Sequence, residues 1–220
     1  MPGFVDRARA ARLMAEARCD ALLIAAPETF RWATGAEPGV AQAWRRLGPA
    51  IAVLPADPAR PVAAVMPDLF AAGAEAAGVT PLAVVPIWVE SADARPHLDA
   101  PDAATLVARA QAQRPPGFAR PATFDRGAVL AALAGLLHGM GLAGARLGTE
   151  DVAIPAADHA ALREALPVAQ LHDASRLIER LRAVKTPGEI ARLREAARLT
   201  EAALAALLPT IRAGETRAAL

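Results

Sequence analysis

Apolar positions along the chain switch between a helical and a strand period. Residues 6–18 set Leu13 and Met14 on one side of a segment otherwise rich in Arg and Ala, which reads as an amphipathic helix. Residues 20–25 (DALLIA) form a short continuous apolar run, the pattern of a strand buried on both faces. Residues 27–35 (PETFRWATG) are expected to be a loop with a helical turn at most, and residues 36–48 continue as loop. The runs at 50–54 and 61–66 flank the turn PADPAR and predict a hairpin. Pro67 opens a helix that Gly78 closes. Residues 82–89 (LAVVPIWV) read as a strand that Pro86 demotes to an edge or a bulge. Helices follow over 101–113 and 126–138, separated by the break RPPGFARP. A strand over 146–150, a helix over 155–166 and a strand over 168–172 complete the set. The predicted fold is α/β, a mixed β-sheet flanked by helices.

The C-terminal stretch has another character. Residues 173–182 read as a helix and 183–186 as a joint. Thr186-Pro187-Gly188-Glu189 is a capping box with proline at the first helical position, a strong helix start. Ile190, Leu193, Ala197, Leu204, Leu207 and Ile211 then mark one stripe of a long amphipathic helix. Little sequence follows to pack on that stripe. It is expected to be covered by a partner subunit or a further domain, or to be mobile.

Composition narrows the function classes. At 220 residues the chain can bury a sizeable core without disulfides or structural metal. Its 24 basic and 23 acidic residues nearly cancel, which argues against a dedicated nucleic-acid binder. Cys19, the one cysteine, excludes an internal disulfide and fits a reducing, cytoplasmic location. The first apolar run begins too late for a signal peptide. The uncharged stretch 127–145 approaches spanning length, but Leu130, Leu133 and Leu137 make it a one-sided helix, so no membrane span is expected.

Local chemistry is sparse. Ser91 and Ser175 lie in no nucleophile elbow. His97, His138, His159 and His172 show no paired metal-ligand spacing. Asp158-His159 and His172-Asp173 set carboxylates beside imidazoles at element ends, where capping is the ordinary reading. Gly139, Gly141 and Gly144 match G-x-G-x-x-G, yet they follow a helix rather than open one, so a helix stop explains them. Arg31 and Trp32 form a more suggestive pair, able to grip a carboxylate or stack on an apolar group. The alternative is that Trp32 packs in the core and Arg31 is solvated.

Four segments carry a resemblance. LIERLRAVKTPGEIARLREAARLTEAAL, residues 177–204, is similar to the junction of the creatinase and Xaa-Pro peptidase family, the pita-bread hydrolases that include prolidase and aminopeptidase P. Arg182, Lys185, Thr186, Pro187, Glu189, Ile190, Arg194 and Ala196 fit its pattern. IRAGETRAAL is similar to the next step, with Arg217 where Glu is commoner. CDALLIAAPETFRWATG resembles an amino-terminal segment of the family, with Thr29 for the usual Asn and Trp32 for the usual Tyr. GLAGARLGTE resembles one of its strands.

The resemblance implies a creatinase-type amino-terminal domain over residues 1–175, of ribonuclease-H-like fold. Residues 176–220 would be the linker and first helix of a truncated catalytic domain. It implies a homodimer whose amino-terminal domain covers an active site, with Arg31, Trp32, Trp44 and Trp88 as substrate-gating candidates. The parent would use two divalent metal ions, such as manganese, cobalt or zinc, held by two Asp, one His and two Glu. After Asp173 this chain has neither Asp nor His, so no catalytic or metal residue transfers, and the chain alone is expected to be inactive. A peptide substrate is implied for the parent. The other readings are a stand-alone binding module and part of a creatinase-like hydrolase of a small C–N substrate.

Overall fold

The computed structural model describes residues 3–39, 46–87, 94–113, 125–214, 216 and 218. Helix α1 (Arg7–Glu16) starts where the Asp6 carboxylate accepts the Arg9 amide, and buries Ala10, Leu13 and Met14. Strand β1 (Ala21–Ile24) follows, fully buried. Then come α2 (Pro27–Thr34), β2 (Ile51–Pro55), β3 (Ala63–Pro67), α3 (Asp68–Ala76), β4 (Leu82–Val85) and α4 (Ala103–Ala112). The remainder is α5 (Arg126–Gly139), β5 (Arg146–Thr149), α6 (Ala156–Ala165), β6 (Gln170–Asp173), α7 (Ser175–Ala183) and α8 (Pro187–Leu207).

The strands form one sheet in the order β4-β3-β2-β1-β5-β6. β1 pairs antiparallel with β2, Leu22 opposite Leu54, and parallel with β5, Leu22 opposite Gly148. β2 pairs antiparallel with β3, while β3–β4 and β5–β6 are parallel. Within this sheet β2 alone runs against the rest. β4 lies at one edge, as Pro86 suggests, but it stops at Val85, short of the strand expected over 82–89, because Pro86 has no N–H to give the ladder.

Both faces of the sheet are covered, which is why its central strands are apolar without alternation. Leu22, Ile24, Ala52, Leu54, Ala64 and Met66 meet α1, α2, α3 and α7. Leu23, Ile51, Val53 and Val65 meet α5 and α6 through Leu130, Leu133, Leu137 and Leu162. Each fully buried leucine contributes about 1.5–3 kcal/mol.

A second expectation is corrected at α2. Residues 27–34 form a two-turn helix, where a loop with a single turn was expected from the sequence. Pro27 sits at its first position, and Gly35 closes it in the left-handed region at φ 74°. Its inward side buries Phe30, Ala33 and Thr34, and that packing stabilises a segment too short to be helical alone.

Helix α7 packs into the sheet domain through Leu177, Ile178 and Leu181. Arg9 of α1 ties it down by donating to the Arg180 carbonyl at 2.8 Å. α8 is different. Both halves of its capping box form, with Thr186 and Glu189 each serving the other's backbone amide, yet none of its residues is buried. Leu193, Leu199 and Leu204 are more than half exposed. None of the described helices is long and apolar enough to cross a membrane.

Candidate functional site

The carboxyl ends of β1, β5 and β6 lie side by side, and the chain leaves β1 and β5 toward opposite faces. β1 leads into α2 on one side, and β5 leads through residues 150–155 into α6 on the other. In open α/β sheets such a switch point leaves a crevice beyond the strand ends. Here two clefts flank the 150–155 ridge. One, about 380 Å³, is lined by Ala25, Pro27, Arg46, Val152 and Ile154. The other, about 350 Å³, is lined by Glu150, Ser175, Ile178, Glu179, Arg182 and Lys185.

Glu150 and Thr29 stand at the base of the ridge, both buried. The Thr29 hydroxyl donates to Glu150 Oε1 at 2.7 Å and accepts from Arg182 Nη1 at 3.0 Å. The Ala26 amide, at the start of α2, donates to Glu150 Oε2 at 3.1 Å. Burial pushes the Glu150 carboxyl above its ordinary range, against the pull of these donors and of the Arg182 charge.

Asp158 forms a second knot. It is fully buried, accepts both Arg46 Nε (2.7 Å) and Nη2 (2.6 Å), and also takes Arg126 Nη1 and the Leu47 amide. The bidentate Arg46 clamp is the first cause that holds its carboxyl down at about 2. Nearby, Asp151 accepts the Thr149 hydroxyl and faces His159 Nε2 at 3.2 Å. Ser175 donates to Asp173 at 2.5 Å and receives the Val152 amide. His159 Nδ1 accepts from Arg163, so its ring is already engaged on both sides. These contacts order the loops. They pair no nucleophile with a free base.

The residues singled out from the sequence fall as follows. Arg31 is half exposed on α2 and ion-paired with Glu37. Trp32 is buried in the core, and its indole Nε1 finds no partner among the described residues. The adjacent side chains therefore face different surroundings. Trp44 and Trp88 lie outside the described residues. Cys19 is buried, donates to the Ala21 carbonyl, and burial pushes its thiol up to about 11. Gly141, at φ 67°, follows the end of α5 and serves as its stop. Nothing in the sequence joins Glu150 and Thr29 as a site. Their signal in the sequence was present only as two separate family-like segments.

The Creatinase/Prolidase N-terminal domain model matches residues 7–184, most of the chain. The chain belongs to the creatinase/prolidase N-terminal domain family. Solved structures similar to this domain include the Xaa-Pro dipeptidase from Bacillus anthracis, at 18% identity and TM-score 0.61, matched over 96% of this chain and 44% of that one. The X-Pro aminopeptidase from Thermotoga maritima is 15% identical at TM-score 0.59, over 96% and 45%. The prolidase from Pyrococcus horikoshii is 15% identical at TM-score 0.57, over 95% and 44%. At these identities the likeness establishes the fold. The creatinase/prolidase N-terminal domain described here spans less than half the length of each of these proteins. No curated protein sequence matches it significantly.

The metal pair of the wider family does not fit the residues at hand. Among the described residues no three His, Cys, Asp or Glu side chains converge in a group able to hold a metal ion. The buried carboxylates are already taken, Asp158 by two guanidinium groups and Glu150 by a hydroxyl and an amide.

Proposed function

We propose that this chain is the amino-terminal part of an Xaa-Pro dipeptidase- or aminopeptidase-like metallohydrolase, inactive by itself. In this reading the domain helps to build a homodimer and covers an active site supplied by the remainder of a longer protein. α8 is the first helix of the catalytic part. The observation that carries the reading is the contrast at the joint: α7 is buried in the domain, whereas α8, capped and regular, has no buried residue. A contiguous apolar stripe of this kind is a surface made to be covered. The division expected at residue 175 falls at the first residue of α7. The packing of α7 favours a boundary at 184–186 instead.

Arg31, Trp44 and Trp88 are proposed as substrate-gating residues of that assembly, and Trp32, its ring in the core, as the residue that holds α2 and Arg31 in place for that gating. The substrate class is a peptide, and the catalytic part carries two divalent metal ions. A cytoplasmic location belongs to the same reading. The test is an assay of the 220-residue chain and of the full gene product on Xaa-Pro dipeptides and on creatine, with manganese, cobalt or zinc added. Hydrolysis of Xaa-Pro bonds by the full product alone is the expected result. Creatine hydrolysis without Xaa-Pro cleavage would move the parent to the creatinase side. A gene product ending at Leu220 would make the chain a stand-alone binding module.

A further inference from the structure

α8 leaves the domain with almost nothing to hold it, so its direction must be set at its root. Two of the contacts at that root, among the described residues, start on α2. The first is the chain Glu150–Thr29–Arg182. Thr29 lies on the inner face of α2, Glu150 at the end of β5, and Arg182 on the last turn of α7. The second runs through Phe4. Its amide donates to the Trp32 carbonyl at 2.8 Å, at the end of α2. Its ring lies 5.7 Å from the Arg192 guanidinium and borders Gly188, where an added Cβ would stand 3.6 Å from Phe4 Cε1. Thr29 and Trp32 are three residues apart, on one side of α2.

We propose that Thr29 is a positioning residue whose hydroxyl couples buried Glu150 to Arg182, fixes the end of α7, and so sets the direction in which α8 leaves the domain. Three features support this. Thr29 and Glu150 are each at least nine-tenths buried, so their bond is shielded from water. The Arg182 contact is half-buried and, among the described residues, is the side-chain hydrogen bond from the domain body to α7 that lies nearest the joint. Beyond it Lys185 donates back to the Arg182 carbonyl, and Thr186 caps α8, so the joint is a short, internally bonded corner that moves with Arg182. The inference does not rest on the peptidase reading. It concerns the geometry of this chain, whatever covers α8.

The test is a distance measurement on the whole chain. Spin labels are placed at the exposed positions Ala157→Cys on α6 and Ala202→Cys on α8. Cys19, buried with its thiol pushed up to about 11, stays unlabelled. Labelled chain is diluted with unlabelled chain so that only distances within one molecule are read by double electron–electron resonance. A single narrow distribution is expected in the otherwise wild-type chain. Its width should at least double in Thr29→Val and in Arg182→Met, and stay narrow in Thr29→Ser, which keeps the hydroxyl. Arg182 is only partly buried, so Arg182→Met keeps the fold even if Thr29→Val does not, and thermal melting of each variant checks this. A distribution already broad in the wild-type background overturns the proposal. So does a narrow one in Arg182→Met, or broadening in Arg182→Met with none in a folded Thr29→Val.

Discussion

The Thr29 hydroxyl donates to the Glu150 carboxylate at 2.7 Å, across 121 residues of chain. The same hydroxyl receives Arg182, so one oxygen joins the segments PETFRWATG, RLGTE and the α7–α8 junction. Each of these three segments carries part of the family resemblance.

Removing that hydroxyl should cost more than one ordinary hydrogen bond. In Thr29→Val the buried Glu150 oxygen loses the hydroxyl that donates to it, and the half-buried Arg182 N–H loses its acceptor. The expected loss is about 1–3 kcal/mol. Thr29→Ser should recover most of it. Urea denaturation midpoints of the three proteins check the ordering.

Glu150 should give stability an unusual pH slope. Its carboxyl is raised in the folded chain, chiefly by burial. The stability tied to its protonated form is therefore fully present below the ordinary Glu value and is lost as pH climbs through the raised one. Glu150→Gln should remove this loss. The stability difference between wild type and variant, followed by urea unfolding from pH 4 upward, should move in favour of the variant.

Asp158 should behave in the opposite sense. Its carboxyl is held down at about 2, first by the Arg46 clamp, from an ordinary 3.8. It therefore adds stability above the ordinary value, on the order of 2 kcal/mol, that is lost as pH falls toward 2. Asp158→Asn should be less stable at neutral pH, with the gap to wild type closing on acidification. Equal melting temperatures at pH 7 would contradict this.

Gly148 should tolerate no side chain. An added Cβ would meet Ala174 Cβ at 2.6 Å, Leu22 Cδ2 at 2.8 Å and Cys19 Sγ at 3.1 Å. Gly148→Ala is expected to cost about 1–3 kcal/mol by overpacking. Ala174→Gly in the same chain should return part of that, a coupling that a double-mutant cycle reads directly.

The capping box should matter to α8 more than caps usually do, because no tertiary contact buries the helix. Thr186→Ala should cost about 1 kcal/mol of helix stability. The expected readout is faster amide exchange over residues 187–193, with the strands of the sheet unaffected.

The sequence by itself determined most of the elements. Continuous apolar runs at 20–25 and 50–54 betray strands covered on both faces, found at Ala21–Ile24 and Ile51–Pro55, because burial on two sides removes alternation. Pro86 marked the strand expected over 82–89 as an edge or bulged one, because proline cannot donate to a ladder, though that reading carried the strand past the Val85 end of β4. Thr186, Pro187 and Glu189 located the start of α8 to the residue, since a capping box is satisfied within four positions. The ordering of family-like segments likewise indicated the fold.

Only the tertiary structure decided the rest. α2 is helical because Phe30 and Ala33 find a core to enter, a circumstance no eight-residue window can express. Trp32 and Arg31 are neighbours in sequence, yet one is buried and the other half exposed, because successive helical positions lie about 100° apart. Asp158 looked like the carboxylate of an Asp-His pair at a helix start. It belongs instead to two arginines 112 and 32 residues away. Thr29 stood out only as a departure from a family-like segment and Glu150 only as the end of another, with nothing local to join them. Hydrophobic periodicity and capping are properties of neighbouring residues, whereas a buried hydrogen bond exists only once the sheet has brought the ends of β1 and β5 together.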